Sequence, residues 1–163
     1  MSSDTTDIRL DRIDRRILQQ LMRDASLPVA RLAERVGLSQ TPCWKRVQKL
    51  EAAGIILGRV ARVAPKPVGI GLIAFVEIEA QDHSDSWRAA FRETVARFDA
   101  IVESYRMVGR TDYLLKVAVA DTDAFDAFYL QFTRALPCRN VTSKFAMETL
   151  HATTAWPIDV ETP

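Results

Sequence analysis

Residues that build disulfide frameworks and metal sites are scarce in this chain. Its 163 residues include two cysteines and two histidines. The histidines, His83 and His151, lie far apart and outside any spacing that suits a metal ion. We therefore expect no disulfide scaffold, no metal, no cofactor and no catalytic residue.

Long apolar segments are missing as well. No window approaches the roughly 18 apolar residues of a membrane-spanning helix, and no N-terminal apolar segment resembles a signal peptide. We therefore expect a cytoplasmic protein with reduced thiols and no membrane partner. The composition, 48% hydrophobic and 26% charged, is typical of a soluble globular protein with one domain or two small ones.

A net charge of +1 conceals two halves of opposite sign. Up to Ala64 there are 12 basic and 7 acidic residues, and after it there are 10 basic and 14 acidic residues. The basic N-terminal half suits a phosphate-binding module, whereas the acidic C-terminal half indicates a different role.

Residues 32–54, LAERVGLSQTPCWKRVQKLEAAG, are the most informative stretch. Gly37 can adopt the left-handed conformation that ends a helix at Val36, and Ser39 can cap the helix that follows. Pro42 falls in the first turn of that helix, where a backbone N–H has no intrahelical partner. Two helices joined by so tight a turn predict a helix-turn-helix.

The second of these helices has an apolar face and a polar face. At about 100° per residue, Cys43, Val47 and Leu50 share the inner face. The outer face carries threonine, lysine and glutamine, which reach base edges or phosphates in a major groove, and Trp44, which can pack on a sugar or a thymine methyl. The predicted DNA-binding residues are Ser39, Gln40, Thr41, Trp44, Lys45, Arg46, Gln48 and Lys49. A solvated amphipathic helix without a DNA partner is the alternative that the pattern alone leaves open.

Helical periodicity also predicts a first helix from Asp11, its N-cap, and a second helix that opens at Pro28. After the helix-turn-helix, the β-branched segment from Ile55 to Val63 predicts a strand or wing. Residues 64–71, APKPVGIG, contain two prolines and two glycines, so they predict a hinge.

Beyond the hinge the pattern alternates between strand and helix. The expected elements are, in order, 72–80, 84–98, 101–108, 113–120, 122–136 and 141–149. The order βαββαβ predicts a ferredoxin-like domain, in which two helices cover one face of a four-stranded antiparallel sheet. Aromatic residues at helical spacing are expected in its core rather than in a cofactor pocket. They are Phe91, Phe98, Phe125, Phe128 and Phe132.

The other face of such a sheet needs a cover. It would expose apolar residues such as Tyr113, Leu115 or Leu114, depending on register, so we expect a second copy of the chain to pack there as a homodimer. The predicted fold class is α+β. Its parts are a winged helix-turn-helix at 1–63, a hinge at 64–71 and a ferredoxin-like effector-binding and oligomerisation domain at 72–163.

Three segments together resemble the Lrp/AsnC, or feast/famine, family of transcription regulators. They are LDRIDRRIL at 10–18, LAERVGLSQTPCWKRVQKLEAAGII at 32–56 and GRTDYLL at 109–115. The run from Thr41 to Arg46 and the segment VTSKFAMETLHATTAWP at 141–157 are similar to the branch that responds to cysteine and activates genes for cysteine breakdown. The resemblance implies a DNA-binding regulator that senses a small amino acid, with cysteine as the first candidate.

The resemblance also implies where the effector binds. In the family it binds between neighbouring dimers of a larger ring, at the turn that here is 109–112, although Arg110 and Thr111 depart from the usual acidic or glycine position. Such a turn offers backbone N–H groups to the effector carboxylate, and Asp112 can accept from its ammonium. The implied effector-binding residues are Met107, Gly109, Arg110, Thr111, Asp112, Tyr113, Thr142 and Ser143. From the turn residues alone, a simple hairpin is the expected reading.

Two other classes of function compete with this one. Siroheme decarboxylases resemble the same two-domain architecture, but a tetrapyrrole site would want histidines or a basic cluster, and the second half here is acidic. A stand-alone effector or oligomerisation module would lack an intact helix-turn-helix. We therefore expect a homodimer, assembling to a tetramer or octamer, that binds double-stranded DNA. Its two recognition helices would read an imperfect palindrome in successive major grooves about 34 Å apart.

Overall fold

The computed structural model describes residues 9–160; residues 1–8 and 161–163, which the predicted domains include, lie outside the described residues. The chain forms two compact units. The N-terminal unit comprises residues up to 62 together with the segment from 151 onward, and the C-terminal unit comprises 63–150. None of the helices in the described part is long and apolar enough to cross a membrane.

The N-terminal unit contains the helices α1 (Arg12–Arg23), α2 (Val29–Val36) and α3 (Gln40–Ala52). Asp11 caps α1 as predicted: its carboxylate accepts from the backbone N–H of Asp14, and the Asp14 carboxylate accepts in return from the backbone N–H of Asp11. Gly37 ends α2 with a φ of 74°, which confirms the predicted turn. The helical core consists of Ile17, Leu18, Leu21, Leu32, Ala33, Val36, Cys43, Val47 and Leu50.

The structure differs from two local predictions in this unit. Ser39 occupies the N-cap position of α3, but its side chain accepts no capping hydrogen bond. Residues 57–64 are exposed and pair with no strand of the described chain, so no wing strand forms there. The β-branched Val60 and Val63 favour a strand but find no neighbouring strand to complete a ladder. The predicted hinge contains one short 3-10 helix at Lys66–Val68.

The C-terminal segment, residues 151–160, contacts the helices of the N-terminal unit, whereas the sequence assigned it to the second domain. Ile158 packs against the helical core. The backbone N–H of Trp156 lies 3.3 Å from Met22 Sδ, and the Arg15 guanidinium lies 3.4 Å from the carbonyl oxygen of the residue after Ile158. These contacts hold the segment 151–160 against the N-terminal unit.

The C-terminal unit is a four-stranded antiparallel sheet with two helices on one face. Its elements are β1 (Leu72–Ala80), α4 (Asp85–Arg97), β2 (Ile101–Arg106), β3 (Tyr113–Val119), α5 (Thr122–Ala135) and β4 (Cys138–Phe145). The strand order β2-β3-β1-β4 is the ferredoxin-like arrangement that the βαββαβ pattern predicts. The last strand begins at Cys138 rather than at the predicted residue 141.

Alternate strand residues separate a helix-covered face of the sheet from an open face. Every second residue of β3 is buried under α4 and α5, whose aromatic residues pack there as predicted. The open face carries Leu114 between Glu77 on β1 and Tyr105 on β2. The register therefore places the half-buried Leu114 on the open face, while Tyr113 and Leu115 belong to the core.

Candidate functional site

The outward face of α3 presents polar side chains, as the sequence predicts. The exposed residues are Ser39 at its start and then Gln40, Thr41, Trp44, Lys45, Gln48 and Lys49. Trp44 is 45% exposed, so its ring is available to a partner instead of being part of the core. Among residues 9–160, the side chains of Lys45 and Lys49 have no ion-pair or hydrogen-bond partner, which leaves both ammonium groups free for phosphate contacts.

Arg46, which the sequence placed among the DNA-binding residues, instead links α3 to α1. One guanidinium nitrogen donates to Asp11 Oδ2 at 2.6 Å and to Asp14 Oδ1 at 2.7 Å. Hydrogen bonds to these carboxylates raise the pKa of Arg46. Desolvation opposes ionisation of Asp11, but hydrogen bonds from the Asp14 backbone and from Arg46 outweigh it and hold the pKa of Asp11 below its ordinary value. The structure thus places Arg46 in the framework of the unit.

The turn predicted to bind an effector is a hairpin between β2 and β3. The backbone N–H of Met107 donates to the carbonyl of Asp112 at 2.8 Å, and the N–H of Asp112 donates to the carbonyl of Ile78 at 3.0 Å. Gly109 has a φ of 127°, a conformation that residues with a Cβ rarely adopt. Met107, Gly109 and Arg110 are exposed around this turn.

A polar cavity of about 190 Å³ lies beside the hairpin. Its lining residues are Glu77, Glu79, Arg110, Thr111, Asn140 and Thr142. Arg110, Thr111 and Thr142 are predicted effector-binding residues, and the fold brings these three together although 142 is far from the turn in sequence. We call this space the hairpin cavity.

The sequence did not single out the other three residues of the hairpin cavity. Strand pairing brings them there: Glu77 lies opposite Thr142, and Glu79 lies opposite Asn140, in the antiparallel register of β1 with β4. The alternation of β1 alone could have placed both glutamates on one face. The contribution of Asn140 depends on pairing across 61 residues of chain, which no local pattern reveals.

The hairpin cavity contains charges of both signs. Glu79 Oε1 accepts a hydrogen bond from Asn140 Nδ2 at 3.3 Å and lies 4.0 Å from Arg110 Nε. Glu77 pairs with the ammonium of Lys144. The Arg110 side chain is 92% exposed, so its guanidinium is free to turn towards a bound carboxylate. A zwitterion would find a cation for one end and carboxylates for the other.

Asp112 has a structural contact that the sequence did not predict. Its Oδ2 accepts from the backbone N–H of Ala80 at 2.8 Å, and its Oδ1 lies 3.9 Å from His83 Nδ1. The carboxylate therefore secures the end of β1 and does not line the hairpin cavity. Met107 and Gly109 do not line it either.

Tyr113 and Ser143 lie on the helix-covered side of the sheet. Tyr113 is 8% exposed, and its ring centroid is 4.1 Å from that of Phe91. Ser143 is opposite Val76, and its hydroxyl is buried without a hydrogen-bond partner in the described part of the chain. Neighbouring residues of a strand point to opposite faces, so Thr142 and Ser143 cannot line the same side.

Comparison with known proteins agrees with both units. The model of the AsnC-type helix-turn-helix domain matches residues 10–51, and that of the Lrp/AsnC ligand binding domain matches residues 73–156. The chain is 44% identical over 151 residues to the DNA-binding transcriptional activator DecR of Escherichia coli (strain K12), with 92% of this chain and 99% of that protein covered.

Two solved structures are similar along nearly the whole chain. An AsnC family transcriptional regulator from Agrobacterium tumefaciens is 46% identical, with a TM-score of 0.89 and coverage of 94% of this chain and 100% of that chain. A transcriptional regulator from Neisseria meningitidis, solved as a complex with L-Met, is 33% identical, with a TM-score of 0.86 and coverage of 91% and 97%. With both units matched in order and relatives of this identity, the chain belongs to the Lrp/AsnC family of DNA-binding transcriptional regulators.

Proposed function

We propose that this regulator reads double-stranded DNA with α3 and responds to a free amino acid that binds in the hairpin cavity. The division of α3 into a buried apolar face and an exposed face with two unpaired lysines carries the DNA-binding half of the proposal. The joining of Arg110, Thr111 and Thr142 around one cavity supports the effector half.

The exposed side chains of α3 suit both kinds of DNA contact. Thr41 and Gln48 can hydrogen-bond to base edges in the major groove, and Lys45 can neutralise a phosphate. Trp44 offers an apolar surface to a sugar or a thymine methyl. We assign Ser39, Gln40 and Lys49 to the ends of the same surface, and we remove Arg46 because Asp11 and Asp14 already hold its guanidinium.

In a homodimer, the α3 helix of the second copy would contact the second half-site of the DNA. The open face of the sheet carries Phe75, Tyr105 and Leu114 beside the ion pairs Glu77–Lys144 and Glu103–Lys116. A second copy packed on this face would cover its exposed apolar side chains. Two copies of α3 about 34 Å apart would then read an imperfect palindrome. Assembly of such dimers into a tetramer or octamer belongs to the same proposal.

The effector that the hairpin cavity suits best is a small amino acid. Its carboxylate would pair with the guanidinium of Arg110, its ammonium with Glu79, and the hydroxyls of Thr111 and Thr142 would complete the contacts. We propose cysteine first, on the resemblance of residues 141–157 to the cysteine-responsive branch. An effector that binds one assembly better than another shifts the DNA-bound population, with a coupling typically worth 1–3 kcal/mol.

A mobility-shift titration on the DNA that flanks the protein's own gene tests DNA reading. Lys45→Ala should weaken binding to specific and random DNA alike and reduce the slope of log affinity against log salt by roughly one. Trp44→Ala should weaken binding with helicity retained, because the ring is exposed. Arg134→Ala, an exposed control on α5, should change neither quantity. Absence of retardation at low salt would contradict the proposal.

Thermal-shift titrations with free amino acids test the effector. Cysteine should raise the melting temperature saturably, whereas cysteamine, which lacks the carboxylate, and N-acetylcysteine, which lacks the ammonium, should bind more weakly. Arg110→Gln and Thr142→Val should weaken the response and leave DNA affinity without effector unchanged. An equal response in these variants and in wild type would remove the hairpin cavity from the mechanism.

A further inference from the structure

A second cavity, on the helix-covered side of the sheet, has a different chemistry from the hairpin cavity. It opens between α4 and the edge strand β2 and has a volume of about 190 Å³. Its lining residues are Arg88, Phe91, Arg92, Ser104, Arg106 and Tyr113. We call it the arginine cavity, because three of the ten basic residues after Ala64 line it and no acidic residue does.

Two carboxylates hold the guanidinium of Arg46, whereas the three arginines of this cavity have one carboxylate contact between them. Arg92 and Arg106 are exposed and have no carboxylate partner among residues 9–160. Arg88 donates to Asp85 Oδ1 at 2.6 Å, and this contact with a neighbour on α4 helps to fix its position. Three guanidinium groups with a single carboxylate contact leave an excess of positive charge at the arginine cavity. Because these like charges repel each other, an anion bound among them would be favourable.

The floor of the arginine cavity is formed by two packed aromatic rings and includes a hydroxyl without a partner in the described chain. The rings of Phe91 and Tyr113 lie 4.1 Å apart and are 4% and 8% exposed. Within the described chain the hydroxyl of Tyr113 has no hydrogen-bond partner. It is not one of the buried polar atoms of the described chain, so it is accessible from the cavity and can donate to a ligand oxygen. Ser104 adds a second hydroxyl at the rim.

We propose that the arginine cavity binds the terminal phosphate group of a small molecule, or inorganic phosphate itself. The guanidinium fork matches the oxygens of phosphate, and a phosphate monoester carries about −1.5 to −2 charges at neutral pH, more than one carboxylate. The volume lies below the roughly 300–1,000 Å³ of sites that enclose drug-sized ligands, so the cavity takes a headgroup. A concave site also suits a terminal phosphate better than the diester of a duplex. This binding is independent of the amino-acid response of the hairpin cavity.

Titration of the full chain with sodium phosphate tests the proposal, with sodium chloride and sodium malonate at matched ionic strength as comparison arms. Phosphate should raise the melting temperature saturably, and calorimetry should give one site per chain. Arg92→Gln and Arg106→Gln should each weaken phosphate binding about tenfold, the loss expected for one charge-assisted hydrogen bond. Tyr113→Phe, which keeps the ring, should weaken it less, and Arg134→Gln should leave it unchanged.

Three outcomes would overturn the proposal. The first is equal stabilisation by chloride or malonate, which would mean ordinary screening or carboxylate binding. The second is phosphate affinity that survives both arginine substitutions. The third is loss of DNA affinity or of subunit assembly in Arg92→Gln and Arg106→Gln without any saturable phosphate binding by wild type, which would assign these arginines to a DNA backbone or to a second copy.

Discussion

The guanidinium of Arg46 on α3 donates a 2.7 Å hydrogen bond to the carboxylate of Asp14 on α1. Asp14 keeps 3% of its side chain exposed and Arg46 keeps 34%, so the carboxylate is the buried partner. A buried carboxylate is costly unless a charged or hydrogen-bonding group satisfies it. The positive charge of Arg46 therefore fixes α3 against α1.

Replacing Arg46 should destabilise the N-terminal unit. We expect Arg46→Ala to cost about 2 kcal/mol, below the roughly 3–5 kcal/mol of fully buried pairs, because a third of the arginine is exposed. Lys49→Ala, an exposed neighbour without a partner in the described chain, should stay within about 0.5 kcal/mol. Hydrogen exchange of the α1 and α3 amides measures the difference. If the α1 and α3 amides of Arg46→Ala stay as protected as in wild type while DNA binding is lost, Arg46 contacts DNA directly.

The stability of the N-terminal unit should also depend on acid pH through Asp11. Desolvation opposes its ionisation, but hydrogen bonds from the Asp14 backbone and from Arg46 hold the pKa below the ordinary 3.8. A depressed pKa in the folded state gives stability that is present above the unfolded-state pKa near 3.8 and is lost as pH falls below it through the folded-state pKa.

Asp11→Asn isolates this charge, because asparagine still caps a helix but cannot ionise. The variant should lose part of the stability that wild type has at neutral pH, and its acid transition should be shallower. Asp126→Asn, an exposed carboxylate on α5, is the control and should follow wild type. An acid transition of α1 amides that is identical in Asp11→Asn and wild type would show that Asp11 contributes no pH dependence.

Most of the fold could be predicted from local patterns. Apolar residues at helical spacing gave the three helices of the N-terminal unit, and Gly37 marked the turn because only its backbone accepts the left-handed conformation without strain. Strand and helix alternation gave the βαββαβ order, and the aromatic residues are in the core as predicted. These features depend on residues close in sequence, so periodicity suffices.

The site was harder to predict because it depends on pairing between distant segments. Arg46 was among the predicted DNA-binding residues, and no local pattern shows its ion pairs because Asp11 and Asp14 are more than 30 residues away. Strand alternation puts Thr142 and Ser143 on opposite faces of the sheet, but only the register of β4 against β1 shows that Thr142 is the one on the open face. The missing wing has a similar cause, because strand propensity needs a neighbouring strand to act on.

Asp112 should behave as a structural residue of the hairpin. Asp112→Ala leaves the Ala80 N–H without its acceptor and should cost about 1–3 kcal/mol, whereas Asp112→Asn retains an acceptor oxygen and should cost less. Urea denaturation and exchange of the Ala80 amide measure both changes. If instead both variants are as stable as wild type and both abolish the amino-acid response, the carboxylate contacts the effector directly.

Both cysteines should be unreactive in the folded protein. Burial raises the pKa of Cys138 to about 11 and also raises the pKa of Cys43, which is fully buried on α3. At pH 8 only about a thousandth of Cys138 would be thiolate, the form that reacts with disulfide reagents. We expect slow modification of the native chain by a thiol reagent and rapid modification of two thiols in denaturant. Fast modification of one native thiol at neutral pH would contradict the assigned pKa direction.

The contact of the C-terminal segment with α1 should stabilise the helix-turn-helix. Ile158 packs against the helical core and is half-buried, so Ile158→Ala should cost about 1 kcal/mol, less than the roughly 2–5 kcal/mol of a fully buried truncation. Leu150→Ala removes a side chain of the same size that is 87% exposed, and it should be nearly neutral. Exchange of the α1 amides should quicken only in Ile158→Ala. Equal exchange in both variants would mean that the Ile158 side chain adds nothing to the stability of α1.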